Sequence, residues 1–150
     1  MPANAPINKF DLFKDVSEET LAKIEKISSE QTYARGDLVF KEGEEASDLH
    51  FLISGAISLH VRLTSRPESV TVSVVKNPYE SFGWSGVVAP FHYTATAECT
   101  EDATVLTIPG AKLMEILKAD PQSGFLVMQR ITEIIASRLR TSRQALLKTL

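Results

Sequence analysis

Between residues 31 and 108 the chain breaks again and again into apolar runs too short for helices, with turn residues in most of the gaps. The runs are 31–34, 38–40, 49–54, 56–63, 70–75, 94–100 and 103–108. They are rich in β-branched and aromatic residues, the composition of strands. The punctuation is Arg35-Gly36-Asp37, Glu42-Gly43-Glu44, Ser54-Gly55, Asn77-Pro78 and Glu101-Asp102. Gly36, Gly43 and Gly55 can each supply the positive φ that such turns often need. In 56–63, Ile57, Leu59, Val61 and Leu63 alternate with Ser58, His60 and Arg62, so one face is buried and one is wet. Many short strands joined by frequent turns predict a sandwich, barrel or jelly roll.

Helical periodicity brackets this block. Within residues 7–29, Leu21, Ile24 and Ile27 recur at helical spacing, and Ser17 before Glu18 and Glu19 resembles an N-cap with acids in the first turn. Leu12, Phe13 and Val16 would pack this segment onto whatever follows. Pro109 opens a second helix at its favoured end, with Leu113, Met114, Ile116 and Leu117 inward, stopping near Asp120-Pro121. A last helix is predicted over 121–148, about 40 Å at 1.5 Å per residue. Met128, Ile131, Ile135, Arg138/Leu139, Ser142 and Leu146 form a stripe on it near heptad spacing. A helix of that length outruns a small barrel, so its far half needs a partner, and a homodimer is expected through it. The expectation is one domain, mainly β with flanking helices. Residues 1–30 form an N-terminal helical segment, 31–108 a β-roll or jelly-roll barrel of about eight strands, and 109–150 the C-terminal helices.

Composition excludes several functions. The 150 residues are 43% hydrophobic and 23% charged, ordinary for a soluble globular chain. The single cysteine, Cys99, leaves no internal disulfide or cysteine-based zinc cluster, which fits a reducing, cytoplasmic compartment. Met1-Pro2-Ala3-Asn4-Ala5-Pro6 lacks a basic stretch followed by an apolar core, so no signal peptide is expected. Nowhere do 18 apolar residues run together, so no membrane span is expected. Residues 121–150 hold five bases (Arg130, Arg138, Arg140, Arg143, Lys148) against one acid, Glu133, although the formal net charge is −3. Cations near a helix C-terminus suit its dipole. Five bases in an acidic chain make a weak phosphate grip, so DNA binding by this chain alone is not expected. His50, His60 and His92 are the three histidines, without a His-x-His pair or an adjacent glutamate. No metal ligands, nucleophile with a base, or acid pair emerge, so no enzyme is expected.

One stretch interrupts the strands: Phe82-Gly83-Trp84-Ser85-Gly86-Val87-Val88-Ala89-Pro90-Phe91-His92-Tyr93-Thr94-Ala95. Without a Cβ, Gly83 and Gly86 let main chain approach a ligand closely. Residues 84–88 can form a helical turn presenting free N–H groups to an anion. Upstream stand Gly36-Asp37-Leu38-Val39-Phe40-Lys41-Glu42-Gly43 and Leu49-His50-Phe51-Leu52-Ile53-Ser54-Gly55-Ala56-Ile57. Together, this order of elements and these motifs resemble the cyclic-nucleotide-binding domain, the effector domain of catabolite-activator-type (Crp/Fnr-like) regulators, kinase regulatory subunits and gated channels. The family's phosphate cassette has an apolar residue, Gly-Glu, a variable residue, a small one and an aliphatic one. A spacer then leads to Arg, Ser/Thr/Ala and Ala. Phe82, Gly83, Gly86, Val87, Thr94 and Ala95 fill their slots, with 88–92 as spacer.

Two slots differ. The resemblance implies a Glu accepting the sugar 2′-hydroxyl and an Arg neutralising the cyclic phosphate, where this chain has Trp84 and Tyr93. An indole N–H donates and cannot accept. A phenol offers one neutral hydrogen bond where a guanidinium offers a charged fork. Hydrogen bonds to charged groups contribute about 1.5–3 kcal/mol each, so losing the fork weakens phosphate binding on the order of 10²–10⁴-fold. His92, the nearby side chain that can become cationic, is mostly neutral near pH 7. The resemblance also brings the long helix to the ligand's base, which makes Arg138, Thr141 and Ser142 candidate contacts.

The expected site is therefore Phe82, Gly83, Trp84, Ser85, Gly86, Val87, His92, Tyr93, Thr94 and Ala95, with Arg138, Thr141 and Ser142 from the helix. The expected function is a stand-alone regulatory ligand-binding module. Its altered pocket would bind cyclic AMP or GMP weakly, or take another small anionic or aromatic effector, with no true cofactor and with a protein partner downstream. Two alternatives remain open: a ligand-free dimerisation or adaptor module whose rings plug the pocket, and an ordinary cyclic nucleotide sensor of a Crp/Fnr-type system. A DNA-reading helix-turn-helix would have to follow the long helix, and the sequence ends at Leu150.

Overall fold

The computed structural model describes residues 6–65 and 67–149. Ser17 caps the first helix, α1 (Glu18–Ile27): its Oγ accepts the Thr20 amide at 3.3 Å, and Glu18 and Glu19 occupy the first turn. The helical reading of 7–29 is corrected ahead of that cap, where a single 3-10 turn covers Ile7–Lys9. Asp15 takes the left-handed conformation (φ 67), which a right-handed helix cannot pass through. Phe10, Leu12, Phe13 and Val16 are still buried in this irregular segment.

Eight strands follow: β1 (Ser29–Tyr33), β2 (Leu38–Phe40), β3 (Asp48–Ser54), β4 (Ile57–Arg62), β5 (Ser69–Val75), β6 (Ser81–Phe82), β7 (Thr96–Cys99) and β8 (Ala103–Pro109). They form two antiparallel sheets, ordered β1-β8-β3-β6 and β2-β7-β4-β5. This is the expected β-roll. The sequence runs anticipate every strand but β6, whose two residues are too few to show a period. The first sheet is covered on both sides. Leu49 and Phe51 of β3, with Leu106 and Ile108 of β8, face the helices. Leu52, Ala103 and Val105 point between the sheets, beside Phe40, Ile57, Leu59 and Phe82. Two-sided burial explains why β3 is nearly continuously apolar while β4 alternates.

After β8 come α2 (Gly110–Ala119) and α3 (Pro121–Thr149). Pro109 was expected to open α2; instead it ends β8, pairing with Asp48, and serves as the helix N-cap. The 29 residues of α3 span about 43 Å. Val127 and Ile131 are buried in the core that the N-terminal segment, α1, α2 and the first sheet share, and Met128 and Ile134 pack against it. Half-buried positions continue as far as Arg138, and 139–148 are exposed throughout. The predicted stripe is thus split. Met128 and Ile131 are used internally, whereas Ile135, Leu139 and Leu146 remain 36%, 66% and 60% exposed.

Candidate functional site

Gly83 adopts φ 72, turning the chain sharply out of β6 into a 3-10 turn, Trp84–Gly86. This is the helical turn expected at 84–88, shortened. Close backbone approach occurs there between elements of the chain itself. A Cβ on Gly86 would stand 2.2 Å from the Asp48 carbonyl oxygen, and one on Gly110 would stand 1.9 Å from the Gly86 carbonyl oxygen. Gly86 and Gly110 thus let the turn lie between β3 and the start of α2.

Tyr93 is buried, at 7% exposure, between the sheets. Its ring stacks on Phe40 with centroids 3.8 Å apart and planes 9° off parallel. The hydroxyl donates to the Asp48 carbonyl at 2.9 Å and lies 3.1 Å from His50 Nε2. Since the phenol's one hydrogen goes to Asp48, His50 Nε2–H donates to the phenol oxygen, and Nδ1 accepts from the Thr107 hydroxyl at 3.2 Å. The Phe82 ring stacks on the same imidazole at 5.4 Å. Burial depresses the His50 pKa to about 3. Burial, aided by the Asp48 carboxylate, lifts that of Tyr93 to about 12. Both are neutral near pH 7, and each partner is satisfied.

Trp84 belongs to a different cluster. Its Nε1–H donates to Ser81 Oγ at 3.0 Å, and Ser81 Oγ donates to Asp11 Oδ2 at 3.1 Å. The same Asp11 oxygen accepts the Ser81 amide at 3.0 Å. Burial raises the Asp11 pKa, and its Oδ1 is buried without a hydrogen-bond partner among the described residues. On the other side of the indole lies Arg138 of α3, its Cζ 5.4 Å from the ring centroid. Arg138 Nη2 meets Glu80 Oε1 at 2.7 Å, and Nη1 donates to Ser73 Oγ on β5.

The predicted residues therefore separate. Trp84 and Arg138 meet, while Phe82, Gly83 and Tyr93 converge on His50. Val87 packs toward the helices, Ser85 is half-buried, and Ala95 packs against the barrel core. Thr94 is exposed. His92 is exposed, its Nδ1 3.0 Å from the Pro90 carbonyl. Thr141 is exposed and donates to the Ser137 carbonyl at 3.0 Å, and Ser142 is exposed one residue on. Sequence reasoning missed Phe40, Asp48, Ser73, Glu80, Ser81 and Asp11 as partners. His50 had a signal, as a polar residue within the apolar run of β3. The pairing of Glu80 with Arg138, across 58 positions, had none.

A family model for the cyclic nucleotide-binding domain matches residues 30–120. The chain belongs to that family. Similar solved structures include the N-terminal domain of a transcriptional regulator from Streptomyces coelicolor (26% identity, TM-score 0.70, covering 93% of this chain and 94% of that one). A cyclic nucleotide-binding domain from Methylobacillus flagellatus shares the fold at TM-score 0.81 and 18% identity, over 96% of this chain and 80% of that one. The catabolite activator protein of Thermus thermophilus does so at TM-score 0.74 and 21% identity, over 91% and 61%. A curated relative, the CRP-like cAMP-activated global transcriptional regulator of Mycobacterium tuberculosis, is 22% identical over 135 residues, which is 90% of this chain and 58% of that protein. The chain spans from 19% to 58% of the length of the curated relatives it matches. Among the described residues of this cyclic nucleotide-binding domain, no helix is long and apolar enough to cross a membrane. None of those residues form a cluster of three or more potential metal ligands.

Proposed function

We propose that this domain is a non-enzymatic, cytoplasmic regulatory module, working as a homodimer, whose phosphate cassette binds cyclic AMP and cyclic GMP weakly or takes another small anionic or aromatic effector. The reading rests on where hydrogen-bonding capacity and positive charge go. In the slot that the family gives to a phosphate-binding arginine, Tyr93 already donates its proton to the Asp48 carbonyl. The arginine that the long helix brings up, Arg138, is paired with Glu80. A cyclic phosphate entering here would have to displace one of these contacts before either group could offset its desolvated charge. Calorimetric titration with cyclic AMP and cyclic GMP tests this directly. The expected result is no saturation at micromolar ligand; micromolar binding of either overturns it in favour of an ordinary cyclic nucleotide sensor.

A second reading, a ligand-free dimerisation or adaptor module, is favoured by the burial of Tyr93 against Phe40, which fills space between the sheets. Following the sole tryptophan, Trp84, through a panel of nucleotides and metabolites separates the two readings. A saturable change supports the effector module, and silence throughout supports the adaptor. Dimer formation is proposed through Ile135, Leu139 and Leu146, which stay 36%, 66% and 60% exposed on α3. Leu139→Glu combined with Leu146→Glu is expected to shift the sedimenting species from dimer to monomer while leaving the far-ultraviolet circular dichroism of the barrel intact.

A further inference from the structure

Arg138 is half-buried, and positions 139–148 after it are all exposed. At that boundary one guanidinium touches three separate parts of the barrel. It donates to Ser73 on β5, pairs with Glu80 just ahead of β6, and covers the indole of Trp84 in the 3-10 turn. Only 26% of the Arg138 side chain and 21% of the Glu80 side chain are exposed, so solvent screening of the pair is limited. The receiving groups are themselves held. Tyr79, at φ 71, turns the chain that presents Glu80, and the Glu80 carbonyl accepts the Leu52 amide at 2.9 Å. Trp84 is fixed through Ser81 to Asp11. The groups that receive the guanidinium are thus held in place by hydrogen bonds of their own, to the barrel and to the N-terminal segment.

We propose that Ser73, Glu80 and Trp84 form a receptor for the Arg138 guanidinium, an internal latch that holds the outgoing half of α3 against the cassette. The inference goes beyond the effector reading, since it concerns contacts within the chain and stands whether or not a nucleotide binds. Before Ile134, α3 is held by Val127 and Ile131 with Met128 and Ile134 beside them, and by Arg130 on the Leu12 and Lys14 carbonyls and on Asp15; beyond Ile134, the Arg138 contacts tie it to the barrel. The latch sets the angle at which the exposed Leu139 and Leu146 are offered to a partner. It also makes the helix position sensitive to anything that perturbs the cassette, because the two share Trp84.

The test uses the full chain and two readouts: amide hydrogen exchange over 135–142, and acrylamide quenching of Trp84. Arg138→Gln is expected to speed exchange in that segment about tenfold or more, the loss of a charge-assisted contact, and to raise the quenching constant about twofold. Strand amides in β3 and β8 should exchange as before. Arg138→Lys keeps the charge but not the fork, and an intermediate value for both readouts is expected. Unchanged exchange and quenching in Arg138→Gln overturn the latch. Should strand amides accelerate as well, Glu80→Gln carries the test. Selective loosening of 135–142 then supports the latch, and wild-type exchange there overturns it. Neither outcome depends on a nucleotide titration, so failure of the latch and failure of the effector reading are told apart.

Discussion

Two aromatic rings nine positions apart, Tyr93 and Trp84, are held in opposite ways. Tyr93 lies between the sheets, stacked on Phe40, with every polar partner neutral and supplied by the barrel. Trp84 lies at the barrel's edge, where its partners come from the N-terminal segment through Asp11 and from α3 through Arg138. The first cluster is packing within the barrel; the second joins separate segments of the chain and includes the ionisable side chains of Asp11, Glu80 and Arg138. Sealed neutral clusters resist change because removing any member strands a buried partner. The second cluster sits where α3 leaves the barrel, so breaking it loosens that joint without opening the core between the sheets.

The largest expected effect that sharpens this contrast comes from truncation. Tyr93→Ala should cost about 3–5 kcal/mol in urea unfolding, since it opens a cavity and leaves His50 Nε2 and the Asp48 carbonyl unpaired. Tyr93→Phe keeps the stack and should cost about 1–3 kcal/mol. Trp84→Phe, which loses one indole hydrogen bond at the edge, should cost about 0.5–1.5 kcal/mol. A Trp84→Phe cost equal to that of Tyr93→Ala would erase the distinction between the two clusters.

A smaller effect separates them by pH. His50 titrates near 3 in the folded chain against an ordinary 6.5, so between those values the unfolded chain binds a proton that the folded chain refuses. Stability contributed by His50 is complete above pH 6.5 and is lost as pH falls toward 3, by up to about 1.4 kcal/mol per pH unit. Tyr93 runs the other way. Its contribution is complete below pH 10 and is lost as pH rises toward 12, because only the unfolded phenol ionises in that range. Urea midpoints measured across pH should show both limbs in the wild type. Tyr93→Phe should make the alkaline limb shallower, leaving the part due to Tyr33 and Cys99, whose pKa values burial also raises, and Trp84→Phe should leave that limb unchanged. An alkaline limb unaltered by Tyr93→Phe would place its whole origin elsewhere.

The sequence alone determined the order of elements, because periodicity and turn chemistry are local properties that neighbouring residues carry. Ser17 announced its helix, the Ile57–Arg62 alternation announced a half-wet strand, and the glycines at 36, 43 and 55 do take positive φ. It also marked Trp84 and Tyr93 as the positions to watch. Only the tertiary structure decided what those side chains touch. Gly86 had a local look of ligand access, yet its missing Cβ is required by the Asp48 backbone, 38 positions away in the chain. Met128 and Ile131 had the spacing of a dimer seam, yet the barrel beneath them claims both. The sequence made Arg138 a candidate ligand contact, and only the fold brought Glu80 and Ser73 within its reach. Contacts of this kind depend on how two sheets and a helix close on one another, and no local pattern of residues encodes the distance between groups that meet only after closure.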